Sequence, residues 1–368
     1  FYVGGMALVP LVPNREVIIS LLLENGQTIS CDVDFSFSRI GEGKGFASLL
    51  YKTRVGEASY AVKITDPRRK LEGFEDLDIH GIVHNREVDF YRWSSQLPEC
   101  DKSHFKMPKY YGGKYCNGSE EGVIILEDFS DRMISEIDFL KGFRIELVKD
   151  IIRSIVGYQN VFMNAVDKFS VPDKKVIFAT LVKIAETSID SLCVKSWITD
   201  ETKKQLHSIA RNVDNLQEQF PDFVKNCPLT LIHSDLWPNN MLYKRNGDDY
   251  RLLAIVDWQC YTIGNPIFDV ATLCSITLTP EVRRANETQL LEYFWNEMQK
   301  SCGARFNIDL DTAHKLYRHC QKWSAVMLTI MVYFQEMMSD KADESHVDGA
   351  LNERLKALLE EETTMRTT

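Results

Sequence analysis

Leu231-Ile232-His233-Ser234-Asp235-Leu236-Trp237-Pro238-Asn239-Asn240-Met241-Leu242, followed by Ile255-Val256-Asp257-Trp258, decides how this chain reads. An apolar run delivers a His-x-Asp turn, Asn240 follows five positions after Asp235, and a second apolar run ends in Asp257. Both runs read as short strands, so two carboxylates and a carboxamide are placed on adjoining strand ends. Phosphoryl transfer requires that set. One carboxylate accepts the proton of an attacking hydroxyl, while Asn and a second Asp hold Mg²⁺ on the phosphates. Oxygen ligands on rigid strand ends suit a chemistry of positioning and charge neutralisation. The stretch reads as a kinase catalytic loop. A lone Asp or Asn in a loop is more often a turn former, so the reading depends on a Gly-rich loop, a strand Lys and a helix Glu preceding it in that order.

All three are present. Ile40-Gly41-Glu42-Gly43-Lys44-Gly45-Phe46 is a Gly-rich hairpin between strand-like segments. Its glycines let the backbone lie close over phosphates, although a purely structural tight turn has the same composition. It is not a Walker P-loop, because Gly45 follows Lys44 and Ser38 stands where the first Gly belongs. Strand-like sequence rather than a helix follows it, which argues against a dinucleotide fingerprint. Phe46–Val55 and Ala58–Thr65, separated by Gly56-Glu57, read as a hairpin whose second strand carries Lys63 within Tyr60-Ala61-Val62-Lys63-Ile64. Such a Lys either meets a partner or ligand, or faces solvent on an alternating strand. Residues 77–97 read as a helix, and Glu87 is the chosen partner of Lys63. Asp89 and Glu75 remain rivals because the helix phase is open. His80 and His84 lie four apart on that helix without an evident third ligand, so they read as packing or surface residues.

Composition narrows the classes. The chain has 368 residues, enough for two lobes, and 44% of them are apolar. A net charge of −10 and the lack of a Lys/Arg-rich block argue against a nucleic-acid partner. Nine scattered cysteines without a C-x-x-C pair read as reduced, mostly buried thiols of a cytoplasmic protein. The apolar runs Val17–Leu23 and Ala325–Phe334 are too short for a membrane span. The chain starts at Phe1 without an initiator Met, which suits a piece of a longer polypeptide.

At the N-terminus, Val17–Leu23, a turn at Glu24-Asn25-Gly26-Gln27 and the β-prone Thr28–Phe37 suggest an antiparallel start. Met107–Tyr115 and Gly122–Leu126 read as strands joined by the Asn117-Gly118-Ser119 turn. The second runs into Glu127-Asp128, where helical periodicity takes over. Exposed backbone at that transition suits an adenine edge. Helical pattern follows from about Phe143, over Thr202–Phe220, and over most of the chain after Pro280. Asp269, in Gly264-Asn265-Pro266-Ile267-Phe268-Asp269, is expected to brace the catalytic loop by accepting backbone or His233 hydrogen bonds. Trp258, Tyr261 and Trp323 are candidate pocket walls.

With Gly41-x-Gly43-x-Gly45, Lys63, Glu87, Leu126-Glu127-Asp128, His233-x-Asp235-x-x-x-x-Asn240 and Asp257-Trp258 in this order, the chain resembles the choline kinase and aminoglycoside phosphotransferase superfamily. It is most similar to the ecdysteroid-kinase-like (CHK kinase-like) group, nematode members included. The resemblance covers residues 36–335. It implies an α+β, protein-kinase-like two-lobe fold, with a small antiparallel-sheet N-lobe (residues 1–128) and a larger, mainly helical C-lobe (residues 129–368). It implies ATP and Mg²⁺ as cofactors and a small hydroxylated substrate, such as a steroid-like alcohol, an amino alcohol or a xenobiotic. By the same resemblance, Asp235 is the base, Asn240 and Asp257 are Mg²⁺ ligands, Lys63 contacts ATP phosphates and Glu87 orients Lys63. Gly41, Gly43 and Gly45 would cover the triphosphate, and Leu126, Glu127 and Asp128 would lie along the adenine. Ser234 stands where many relatives have Gly. Some relatives are fused to a dehydrogenase domain, so fusion or association with another enzyme domain suits the missing Met. The competing class is a nucleotide-binding pseudokinase acting through partners, which retention of Lys63, Asp235, Asn240 and Asp257 argues against.

Overall fold

The computed structural model describes residues 2–3, 6–7, 11–30, 32–40, 48–68, 79–99, 105–133, 141–163, 171, 174–192, 197–212, 227–247, 249–338 and 347–367. The chain forms two compact units. The first comprises Phe1–Ser135, Met241–Asp248 and Leu253–Cys260; the second comprises Glu136–Asn240, Asp249–Leu252 and Tyr261–Thr368. No described helix is long and apolar enough to cross a membrane. The described cysteines, Cys116, Cys227, Cys260, Cys274, Cys302 and Cys320, are free thiols.

The first unit opens with a short antiparallel pair, β1 (Tyr2–Val3) and β2 (Met6–Ala7). Its main sheet has five antiparallel strands: β3 (Phe35–Ile40), β4 (Leu49–Val55), β5 (Ala58–Thr65), β6 (Tyr110–Lys114) and β7 (Gly122–Glu127), in the order β3-β4-β5-β7-β6. Side chains alternate across a strand, so β4 buries Leu49, Tyr51, Thr53 and Val55, and β5 buries Tyr60, Val62 and Ile64. Val55 pairs with Ala58 across the two-residue turn, where Gly56 takes φ +61°. That conformation is cheap only for a residue without Cβ.

Val17–Leu23 is not a strand. It lies in helix α1 (Arg15–Glu24), whose N-terminus is capped by the Asn14 side chain accepting from the backbone N–H groups of Glu16 and Val17. The cap satisfies two otherwise orphaned donors. Ile18 and Leu22, four apart, are buried against Leu49, Tyr51, Val62 and Ile125 of the sheet. The helical spacing of that pair outweighs the strand-like appearance of a short apolar run.

Helix α2 (Ile79–Ser95) places Phe90 face to face with Trp258, at 4.3 Å between ring centroids and 9° between planes. His84 of α2 is a packing residue. Its Nε2 lies 2.9 Å from the Lys114 carbonyl, which can only accept, so Nε2 carries the proton and Nδ1 accepts from the Thr65 hydroxyl at 2.9 Å. Burial, together with the nearby Lys63 charge, drives the His84 pKa down to about 4 against the raising effect of that carbonyl. The folded state therefore disfavours a proton that the unfolded chain takes up near pH 6.5. Stability should fall by about 3 kcal/mol as pH drops from about 6.5 to about 4. Urea unfolding across that range should show a steeper pH dependence in the wild type than in His84→Asn. The same ring fills the space beside Gly122, where an added Cβ would lie 2.3 Å from Nε2. A ring held by two hydrogen bonds cannot yield cheaply, so Gly122→Ala should cost about 2–4 kcal/mol in denaturant unfolding.

The second unit comprises α3 (Ile145–Met163), α4 (Lys174–Ser191), α5 (Asp200–Arg211), α6 (Phe268–Thr277), α7 (Pro280–Cys302), α8 (Leu310–Met338) and α9 (Val347–Thr367) with a short antiparallel pair on which α3 packs. That pair is β8 (Thr230–Ile232) with β11 (Thr262–Gly264). The intervening strands β9 (Met241–Asn246) and β10 (Asp249–Ile255) form a two-stranded sheet. Helix α5 ends at Arg211 with Asn212 as its C-cap, and residues 213–220 of the longer expected helix lie outside the described residues. Every residue of α6 is buried, the pattern of a helix enclosed on all sides. The expectation of Trp258, Tyr261 and Trp323 as pocket walls is corrected, because their exposures are 0%, 0% and 1%. These rings belong to the cores of their units, where so much apolar surface is best removed from water.

Candidate active site

In the first unit the sheet and α2 bring Lys63, Glu87 and Asp257 together. Lys63 Nζ donates to Glu87 Oε2 at 2.6 Å and to Asp257 Oδ1 at 2.7 Å. Glu87 is therefore the partner. Asp89 instead accepts the Tyr115 hydroxyl, and Glu75 lies outside the described residues. Burial alone would lower the Lys63 pKa, but the carboxylates of Asp257 and Glu87 outweigh it and hold the ammonium well above its ordinary range. Burial pushes the Glu87 carboxyl up, Lys63 draws it down, and the nearby Asp257 charge adds to the rise. Glu87 is 1% exposed and its Oε1 has no hydrogen-bond partner. Two carboxylates thus share one ammonium, Glu87 buried at 1% exposure and Asp257 partly open at 29%.

The second unit holds the His-Ser-Asp turn. Asp269, in the first turn of α6, accepts the backbone N–H of His233 at Oδ2 (2.8 Å) and that of Ser234 at Oδ1 (3.2 Å), and also the hydroxyl of Tyr158. It braces the loop as expected from sequence. Tyr158 lies on α3, and nothing in the local sequence marks it as a partner of Asp269. Burial pushes the Asp269 carboxyl up to about 6 against those three donors. Asp235 is half-buried, and its backbone N–H donates to His233 Nδ1 at 3.2 Å. Asn240 Nδ2 donates to the Asp235 carbonyl at 2.9 Å and to Asp235 Oδ2 at 3.0 Å, so the carboxamide is oriented by the carboxylate beside it.

Among the described residues, the non-glycine positions with positive φ are Ser234 (+67°) and Asp257 (+64°). Left-handed backbone is costly for a side chain bearing Cβ, and it persists where surrounding structure holds it. Sequence hinted at the first of these, since Ser234 occupies a position where Gly is common among relatives.

The donor chemistry fits Mg²⁺. In the second unit, with Nδ2 of Asn240 committed to Asp235, its Oδ1 is the oxygen left for a cation; in the first unit, Asp257 offers a carboxylate oxygen of the hard kind that Mg²⁺ prefers. Among the described residues no group of three or more His, Cys, Asp or Glu could hold a metal alone. A cation held by either residue would thus complete its ligands from phosphate and water, the usual habit of Mg²⁺. Gly41, Gly43 and Gly45 lie outside the described residues. Leu126 and Glu127 end β7; the Glu127 carboxylate accepts from Arg132 at 2.6 Å, and Asp128 is held by Ser59 and Ser130.

Solved structures with this fold include a putative aminoglycoside phosphotransferase from Ralstonia eutropha JMP134, with TM-score 0.54 and 13% identity over 96% of this chain and 98% of that one. A choline kinase from Cryptosporidium parvum Iowa II has TM-score 0.55 and 14% identity over 96% and 97% of the two chains. The chain has the protein-kinase-like two-lobe fold, with a small antiparallel sheet in one part and a mainly helical larger part. More narrowly, the DUF1679 family model, described as "Uncharacterized oxidoreductase dhs-27", matches residues 61–366, and the chain belongs to that family. It is 22% identical over 278 residues to the "Uncharacterized kinase-like protein D1044.1" of Caenorhabditis elegans, covering 73% of this chain and 70% of that one. It is 21% identical over 279 residues to the "Uncharacterized oxidoreductase dhs-27" of the same organism, covering 70% of this chain but only 32% of that protein. The chain therefore spans about a third of the length of this second relative.

Proposed function

We propose that this chain is a small-molecule kinase that transfers the γ-phosphate of ATP, with Mg²⁺, to a hydroxyl of its acceptor. The observation that carries the reading is Lys63 Nζ, held between Glu87 and Asp257 at 2.6 and 2.7 Å. With both carboxylates ionised the set bears one net negative charge, and the partly open Asp257 is where a second cation would be stabilised. Mg²⁺ beside Asp257 would supply that charge and neutralise phosphate oxygens, and Asn240 is proposed as a metal ligand from its place in the His-x-Asp-x-x-x-x-Asn pattern. Lys63 then engages phosphate oxygens, and Glu87 keeps its ammonium oriented. Asp235 accepts the proton of the acceptor hydroxyl as its oxygen bonds to the γ-phosphorus and the bond to ADP breaks. In this reading Gly41, Gly43 and Gly45 cover the triphosphate, and the backbone from Leu126 to Asp128 runs along the adenine.

The acceptor is proposed to be a low-molecular-weight alcohol: a steroid-like alcohol, an amino alcohol or a hydroxylated xenobiotic. What supports this is the fold shared with an aminoglycoside phosphotransferase and a choline kinase. The test is ATP consumption by the purified chain with Mg²⁺ across a panel of sterols, amino alcohols and plant or microbial metabolites, with Asp235→Asn as control. Acceptor-dependent turnover that disappears in the variant supports the reading, and failure of the wild type to bind Mg²⁺-ATP overturns it.

A further inference from the structure

Asp128 follows the last residue of β7, and its carboxylate is engaged on every side by protein. Oδ2 accepts the Ser59 hydroxyl at 2.6 Å and the Ser130 hydroxyl at 3.0 Å, while Oδ1 accepts the backbone N–H of Ser130 at 2.8 Å. The Lys52 ammonium lies 3.5 Å from Oδ2 and donates to Ser130 Oγ at 2.7 Å and to Asp131 Oδ1 at 2.8 Å. The Asp128 side chain is only 4% exposed. Burial alone would raise its carboxyl, but the bonds from Ser59 and Ser130, with the Lys52 charge, hold it below the ordinary range. Three neighbouring pieces of the sheet are tied at one point in this way: Lys52 on β4, Ser59 at the start of β5, and the turn after β7.

The position of this network says what it controls. The β5–β7 ladder pairs Tyr60 with Glu127, so Ser59 and Asp128 stand one step past the last backbone pair. Up to Glu127 the chain is fixed by the ladder, and by Glu127 N–H donating to the Lys109 carbonyl at 2.8 Å. Beyond it, the Asp128 carboxylate closes a turn onto the N–H two residues on, while the Asp128 carbonyl accepts from Arg132 at 3.3 Å and the Phe129 carbonyl from the N–H groups of Arg132 and Met133. Lys63 pairs with Ile124, inside the ladder, and does not depend on the turn.

We propose that Asp128 is a positioning residue for the nucleotide base: it touches no ligand, but fixes the backbone of residues 127–130 on which the adenine is read. The inference rests on the kinase reading above. It separates the two ends of the nucleotide, because loss of Asp128 loosens the adenine platform and leaves the phosphate-binding Lys63 in its ladder. A brace that only held the fold together would affect both ends alike.

The experiment is calorimetric titration of the purified full chain with Mg²⁺-ADP and, separately, with Mg²⁺-tripolyphosphate, which carries phosphates and no base. In Asp128→Asn, ADP affinity should fall about tenfold with tripolyphosphate affinity unchanged, the loss expected when a charge-assisted brace is weakened. In Ser59→Ala, which removes one neutral donor and carries the test if Asp128→Asn does not fold, ADP affinity should fall about threefold, again selectively. Equal losses for both ligands, or no loss for either, overturn the proposal. A wild type that binds neither ligand overturns the kinase reading itself, and this inference with it.

Discussion

Asp235→Asn is expected to lower acceptor-dependent turnover by about a thousandfold, within the range a general base contributes, while ADP binding and thermal stability stay close to wild type. The geometry explains why the loss should be confined to chemistry. Asp235 is half-buried, its Oδ2 receives Asn240 Nδ2 at 3.0 Å, and its own N–H is engaged by His233 Nδ1. An Asn at this position has the same shape and still offers one oxygen to Asn240. What it lacks is the capacity to take a proton from an attacking hydroxyl near neutral pH. The check is ATP consumption with whichever panel acceptor the wild type turns over fastest, together with a calorimetric titration with Mg²⁺-ADP. A variant with wild-type turnover removes Asp235 from the role of base. If the variant also loses ADP binding, the substitution has collapsed the site rather than its chemistry.

Lys63 and Asp269 were legible in the sequence because each stands in a recognisable local pattern, although their partners are distant in the chain. Lys63 stands inside a strand whose alternation is plain, and Asp269 lies just past Pro266, where a helix start aimed at the preceding loop is predictable. Glu87 against Asp89 was a question of helix phase, which packing of α2 decides and periodicity alone does not. Helix α1 was misread because seven consecutive apolar or nearly apolar residues look like a strand. The informative signals were Asn14 as cap and the four-residue spacing of Ile18 and Leu22. The network at Asp128 was not legible at all, since its partners Ser59 and Lys52 lie on other strands and are separated by a long stretch of chain. Burial of Trp258 was equally non-local, being settled by Phe90 on α2 and by Phe105. Pattern carries short-range geometry, whereas contacts between distant strands follow from which faces meet.

Asp269→Ala should be the most destabilising single change near the His-Ser-Asp turn, costing about 3–5 kcal/mol. Asp269 is fully buried, and three donors depend on it: the N–H groups of His233 and Ser234, and the Tyr158 hydroxyl, none of them open to water. Each buried donor left without an acceptor costs about 1–3 kcal/mol, and relaxation keeps the total below the simple sum. A second penalty is geometric. Ser234 holds φ at +67°, and the bond from its N–H to Asp269 is one of the contacts that holds it there. Without it the loop should relax toward a less strained backbone, and Asp235 should lose its alignment with the acceptor hydroxyl. Turnover is therefore expected to fall by at least about tenfold in whatever fraction remains folded. Asp269→Asn keeps one acceptor oxygen and should lose only about 1–2 kcal/mol. Thermal and urea unfolding of the two variants beside the wild type is the check. An Asp269→Ala protein as stable as wild type would mean that the loop holds its conformation without this carboxylate.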